Sequence, residues 1–284
     1  MSSPLTFPLP AYVINMDSAT ERWSHVTTAF AGEAAVSIHR QPGIVTSQLP
    51  RAALEVLTGS GPVRRGALGC FLAHCAVWES IAGGSAPWTL LLEDDSAPRG
   101  LARLLAAKVP ADADIIWTSV RADPAGRQAR PGAPRIAPLL EALRGRMTLD
   151  AGPAAFGTDG YLLSREGAVK LLGAVRRDGF SGHVDWRLVR YSLPEALHDE
   201  FKMAPWFSSP HGLNARHDGI GWGILNAYAC SPAVTRVVPS LPSQRKLHDS
   251  PAAQCRPMRL VENRPSLPES AHSPRRPKGS CSAV

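Results

Sequence analysis

The sequence predicts an α/β domain built on a mostly parallel sheet with helices on its faces. Two observations carry this. Short apolar runs at 11–17, 88–92, 113–119 and 160–164 alternate with longer segments whose apolar residues recur every three or four positions. Turn and cap residues punctuate nearly every boundary, and strand–helix alternation of this kind is the pattern of a sheet covered on both sides. With 284 residues, 44% of them hydrophobic, the chain has material for a sizeable core.

Taken in order, AYVINMD (11–17) lies between Pro10 and the polar Asp17 and Ser18 and reads as a buried strand. Ser18 or Asp17 is expected to cap the next segment, in which Trp23, Val26, Thr27 and Phe30 fall at helical spacing. A weaker strand at 36–40 precedes the turn-forming Pro42 and Gly43. In GALGCFLAHCAVWESIAGG, Leu68, Phe71, Leu72, Cys75, Trp78 and Ile81 or Ala82 form one helical face, which Gly83 and Gly84 end. The strand at 88–92 follows, then a helical LARLLAAKV, the strand ADIIWTS and a long aperiodic span at 120–138, the size of a lid or a disordered loop. GYLLS reads as a strand and REGAVKLLGAVRR as a helix burying Ala168, Leu171, Leu172 and Val175. HVDWRLVRYSL and EFKMAPWF are expected to close the folded part before a Gly-rich loop at 211–223.

The domain division expected from this pass is a flexible 1–10, a folded 11–241 and a disordered, basic, Pro/Ser-rich tail at 242–284. The net charge of +7 and pI near 9.5 come mainly from that tail, where eight Lys or Arg face three acids. The body is close to neutral and has no basic footprint of the sort nucleic-acid binding needs. The tail reads either as a solvated extension or as a tether to an acidic membrane surface or partner. Five cysteines form no CxxC pair, Cys70 and Cys75 read as small hydrophobes within a helix, and the expected compartment is the cytoplasm. Neither a signal peptide nor an apolar run of about 18 residues is read from the sequence.

The strand at 88–92 runs straight into Glu93, Asp94 and Asp95. In open α/β sheets ligands bind beyond the carboxyl ends of the strands. Strand alternation would put Glu93 and Asp95 on one face and Asp94 on the other. Two acids on one face make a hard oxygen site for Mg²⁺ or Mn²⁺, and a bound cation would relieve the repulsion of three adjacent carboxylates. The other reading is a strand end in water. P-loop, GxGxxG, HExxH, zinc-type Cys/His and GxSxG patterns are absent from the sequence. His74, in mid-helix, reads as a core or boundary histidine or as a functional one.

Five blocks, VINMDSATERW, GALGCFLAHCAVWE, LLLEDD, GTDGYLLSREGAVKLL and HVDW, resemble in order and spacing glycosyltransferase family 25, over about residues 12–186. That family includes bacterial lipooligosaccharide sugar transferases and is related to the collagen galactosyltransferase domain. Ala73, Met16 and Asp159 depart from its usual residues. The resemblance implies a single nucleotide-sugar-binding domain of the GT-A type. It also implies inverting transfer of a hexose, often galactose, from a UDP-sugar to a glycan or protein acceptor, as in lipopolysaccharide biosynthesis. Carried over by position, Glu93 and Asp95 would hold Mn²⁺ or Mg²⁺. Asn15 and Arg22 would lie by the nucleotide, with Gly66, Gly69 and His74 near the donor and Gly160 and Tyr161 near the sugar. Asp94 and Asp185 are the two candidate bases, and Asp159 is a third acid nearby. Two other readings are a degenerate member acting as a scaffold, and a metal-dependent phosphohydrolase using the same acids.

Overall fold

The computed structural model of the chain describes residues 2–3, 5–58, 65–119, 133–144, 157–180, 183–197 and 221–238. The elements in chain order are β1 (Ser2–Ser3), β2 (Leu9–Asn15), α1 (Thr20–Phe30), β3 (Val36–Pro42), α2 (Arg51–Thr58), α3 (Arg65–Gly83), β4 (Trp88–Glu93) and β5 (Ser96–Pro98). There follow β6 (Val109–Pro110), β7 (Ile115–Trp117), β8 (Arg135–Pro138), α4 (Leu139–Arg144), β9 (Tyr161–Ser164), α5 (Arg165–Asp178), α6 (Val184–Ser192), β10 (Ala227–Ser231) and β11 (Thr235–Val237). The predicted helix after β5 is instead a six-residue 3₁₀ segment, Leu101–Ala106, entered through Gly100 at φ 85°.

Seven strands form the central sheet in the order β3-β2-β4-β9-β7-β10-β8. β3, β2, β4, β7 and β10 run one way, while β9 and the edge strand β8 run against them. Of the span expected to be a lid or a disordered loop, residues 120–132 lie outside the described residues, and Arg135–Pro138 forms that edge strand. β10, to which the pass along the sequence assigned no element, enters the sheet between β7 and β8. EFKMAPWF, most of the Gly-rich loop and the tail lie outside the described residues. At the other end, β2 begins at Leu9 and Leu5 is buried, so order extends into the segment expected to be flexible.

Alternation along the central strands splits the core into two apolar layers. Leu91, Ile115, Trp117, Tyr161 and Leu163 face one side, where they pack with Phe71 and Trp78 of α3, Leu171 of α5 and Leu188 of α6. Leu90, Leu92, Ile116 and Leu162 face the other, against Val26 and Phe30 of α1 and Leu101 and Leu104 of the 3₁₀ segment. Burial on both faces explains why β4, β7 and β9 read as unbroken apolar runs. α3 meets the length and composition of a membrane span at 19 residues, contrary to the sequence reading, but most of it is buried inside the fold, where it packs on α5. α1 starts without a side-chain cap; Asp17 instead accepts a hydrogen bond from Arg40 Nη2 at 2.8 Å.

The crossovers position the site. From β2 the chain passes through α1, on one face, to β3 on one flank. It then crosses through α2 and α3, with α3 on the opposite face, to β4 on the other flank. The strand order therefore reverses at β2, and the crevice beyond the carboxyl ends of β2 and β4 is where such a sheet accepts a ligand. Antiparallel β9 pairs Tyr161 with Leu91, which delivers residues 157–160 to that same end.

Candidate active site

A cavity of about 270 Å³ opens at this switch point. Its wall combines the ends of β2 and β4, the loop at 43–46, the first turns of α3, residues 157–159 and Asp185 of α6. Five carboxylates (Glu93, Asp94, Asp95, Asp159 and Asp185) line it against two guanidiniums, those of Arg22 and Arg65.

Three of the acids differ in how they are held. Asp94 is buried, and both of its oxygens are occupied: Arg22 Nε donates to Oδ1 at 2.7 Å and Asn15 Nδ2 to Oδ2 at 2.7 Å. Arg22 Nη2 also reaches Oδ1. Asn15 in turn donates to the Ala19 carbonyl and accepts from Arg40 Nε at 2.9 Å, so its amide is consumed by the protein. Burial by itself would lower the Arg22 pKa, but hydrogen bonding and charge contact with Asp94, then Asp95, raise it overall. The expectation that Asp94 points away from its neighbours needs correction. β4 ends at Glu93, so Asp94 and Asp95 lie in the following turn, where strand alternation no longer applies, and all three acids line the cavity.

Asp95 lies 3.3 Å from Arg22 Nη2 through Oδ2, and its Oδ1 is buried with no hydrogen-bond partner among the described residues. Asp185, at the second position of α6, has a buried Oδ1 in the same condition. Buried carboxylate oxygens are rarely left without a partner. The Asp95 oxygen, beside Glu93 in a cavity with an excess of acids, completes a hard-oxygen donor pair that fits Mg²⁺ or Mn²⁺, while the Asp185 oxygen is left to accept from a ligand. Asp159 accepts from Ser119 Oγ through its carboxylate and from Ser96 Oγ through its carbonyl.

Glu93 accepts a hydrogen bond from Thr158 Oγ1. Burial first, then the negative charge of Asp95, push its pKa from 4.5 up to about 8 against the opposing pull of that bond. Between these two values the folded protein holds a proton that the unfolded chain has released, so stability falls as pH rises through the window. Denaturant titrations of the metal-free protein from pH 5.5 to 8 are expected to record this decline, and Glu93→Gln to flatten it; a decline of the same slope in the variant would contradict the assignment. Cation binding at Glu93 must also expel that proton and so strengthen with pH.

His74 and Tyr161 do not reach the cavity lining. His74 is fully buried, and burial lowers its pKa to about 3, leaving the ring neutral. Its Nδ1 lies 2.8 Å from the Tyr161 hydroxyl, which also accepts from Trp78 Nε1 at 3.0 Å. Tyr161 is thus a core aromatic whose hydroxyl is spent on two neighbours. Gly69 serves close packing: a Cβ there would strike the Ile44 carbonyl, so the glycine lets α3 approach the cavity's 43–46 loop. At Gly160, outside the lining, a Cβ would collide with Thr235 and Thr118 side chains. Gly66 lines the wall itself.

The sequence reading missed Thr158, Arg65 and Cys70. Only Cys70 left a usable signal, its place four residues before His74 on one helical face. Cys70 packs against the core as the small hydrophobe expected there, and it also lines the cavity, whereas Cys75 is buried in the core.

Residues 9–97, which hold β2 through the acid triplet, match glycosyltransferase family 25, described as LPS biosynthesis protein. The human and mouse proteins named procollagen galactosyltransferase 2 are each 32% identical to this chain over an alignment covering 45% of it and 21% of the relative. The chain therefore spans about a fifth of the length of these curated relatives. In a crystal structure, a glycosyltransferase involved in the glycosylation of the major capsid of PBCV-1 aligns with 85% of this chain and 96% of its own, at TM-score 0.36 and 10% identity. The sheet with helices on both faces and an acid-ended central strand is an α/β architecture. Asn15, Arg22, Gly69, His74 and the three acids fall inside the matched residues, and Tyr161 and Asp185 outside them. The part of the chain that is similar to glycosyltransferase family 25 thus carries β2, β4 and the acid triplet of this strand-end cavity.

Proposed function

We propose that the protein transfers a hexose, galactose foremost, from a UDP-sugar to a hydroxyl of a glycan or protein acceptor, with inversion and with a divalent cation. The observation that carries this reading is that Asp95 and Asp185, both on the wall of one acid-rich cavity at the switch point of the sheet, each keep a buried Oδ1 with no hydrogen-bond partner among the described residues.

Each residue has its part. Glu93 and Asp95 are the ligands for Mn²⁺ or Mg²⁺, which when bound supplies Lewis-acid stabilisation of charge on the departing diphosphate. Asp94 is a positioning residue rather than a base, because Arg22 and Asn15 occupy both of its oxygens. Through it Arg22 is held 3.3 Å from Asp95, presenting positive charge at the edge of the diphosphate position. Asp185 is the base. Its carboxylate takes the proton of the acceptor hydroxyl as the new bond to the anomeric carbon forms and the bond from that carbon to the UDP oxygen breaks. Displacement from the opposite face inverts the anomeric centre. The names of the human and mouse relatives support galactose, and the basic tail supports contact with an acidic membrane surface from the cytoplasmic side.

Incubation of the full chain with a panel of UDP-hexoses, UDP-N-acetylhexosamines and GDP-mannose, in Mn²⁺, tests the reading. UDP release from one UDP-hexose above the protein-free rate, absent in Asp95→Asn, is expected. No release from any donor would sink the proposal, as would liberation of inorganic phosphate in place of UDP.

A further inference from the structure

The face of α3 that turns toward the end of β4 carries a second donor set. Cys70 and His74, one turn apart, and Glu93 place a sulfur, an imidazole nitrogen and a carboxylate oxygen within 4.8 Å of one another. The i,i+4 spacing aims both helix residues at one point, and Glu93 has the parity of Leu91, which faces α3 across the sheet. His74 is fully buried, and its Nε2 has no hydrogen-bond partner among the described residues. Its Nδ1 lies against the Tyr161 hydroxyl, which Trp78 fixes in turn. A histidine anchored through one ring nitrogen, with the other left open, is oriented as metal-ligating histidines are by their outer partners.

We propose that Cys70, His74 and Glu93 form a site for a borderline-soft divalent cation of the Zn²⁺ class, distinct from the hard Mn²⁺ or Mg²⁺ position on the Asp95 side of the same glutamate. Thiolate and imidazole discriminate against Mg²⁺ and Mn²⁺, and affinity for nitrogen and sulfur donors rises from Mn²⁺ toward Zn²⁺. At bond lengths of about 2.3 Å to sulfur and about 2.0 Å to nitrogen, the donors of a tetrahedral site sit roughly 3.5 Å apart. The present spread closes to that by side-chain rotation of Cys70 and Glu93, while His74 stays fixed in the core. Three protein donors leave a fourth position toward the cavity that Cys70 lines. Glu93 is then shared between the two cation positions, so Zn²⁺ occupancy draws it away from the hard cation and opposes donor binding. Only that last consequence rests on the proposed transferase function; the cation site does not.

The test is titration of the full chain with Co²⁺ under a phosphine reductant, followed by its thiolate-to-metal charge-transfer absorption. One band per protein is expected, abolished by stoichiometric Zn²⁺ and insensitive to excess Mg²⁺. It should vanish in both Cys70→Ser and Cys70→Ala, weaken in His74→Gln and persist in Asp95→Asn. On the unmutated chain, Zn²⁺ should protect Cys70 from alkylation as read by peptide mapping, which needs no variant to fold. Absence of the band, its survival after replacement of Cys70, or unprotected alkylation would overturn the proposal. If the band is present while no UDP-sugar is turned over, the transferase reading fails and this site stands; Mn²⁺-dependent UDP binding without the band gives the reverse.

Discussion

Asp185→Asn is expected to lower the rate of sugar transfer by about 10²- to 10⁴-fold, the usual worth of a positioned general base. The amide keeps the shape of the side chain but cannot accept the proton of an attacking hydroxyl. Asp185 is suited to this role by its state in the fold: a buried carboxylate oxygen on the cavity wall with no hydrogen-bond partner among the described residues. The separation of effects is diagnostic. UDP affinity in Mn²⁺ should change less than about twofold, because an interaction made only in the transition state lowers turnover and leaves ground-state binding alone. Steady-state kinetics alongside UDP calorimetry read both quantities. A rate loss below tenfold would move the base elsewhere, with Asp159 the next acid on the wall.

The second large effect concerns stability. Asp94→Ala removes the partner of a guanidinium whose side chain is 8% exposed. Breaking one side of a buried ion pair costs about 3–5 kcal/mol, since the remaining charge stays out of water without compensation. The low end, about 3 kcal/mol, is expected here because Asp95 still faces Arg22 at 3.3 Å. Asn15 loses its acceptor in the same step, which loosens the link that carries Arg40 and Asp17. Asp94→Asn retains one acceptor and should cost less. Urea denaturation with an unchanged m-value is the measurement, and a loss under about 0.5 kcal/mol would place Asp94 among ordinary surface acids.

Much of this architecture is legible in the chain. The unbroken apolar runs of β4, β7 and β9 announce strands covered on both faces, and the acids after β4 mark the strand end where the cavity opens. Ser164 ends its strand, as the sequence pattern predicts, and it also caps α5 by accepting from the Gly167 amide. What escaped has a common cause, dependence on partners far away in sequence. The pairing that fixes Asp94 joins residues 72 and 79 positions apart, so no local pattern reveals that this acid is held and its neighbour is not. The antiparallel course of β9 has no signature in Tyr-Leu-Leu-Ser, because burial on both faces erases the alternation that direction and register leave behind. β10 carries only five residues and joins the sheet through β7 and β8, which lie far before it in the chain. At 101–106 the apolar spacing suits an α-helix, but six residues after a left-handed glycine close only a 3₁₀ segment.

The central claim is that Glu93 and Asp95 bind a divalent cation that joins the protein to a nucleoside diphosphate. Calorimetry of UDP binding, with and without Mn²⁺, on the native chain and on Asp95→Asn tests it most directly. The expected result is UDP binding that strengthens at least tenfold with Mn²⁺ in the native chain, about 1.4 kcal/mol, and gains nothing from Mn²⁺ in the variant. Equal affinity in all four titrations would contradict the account.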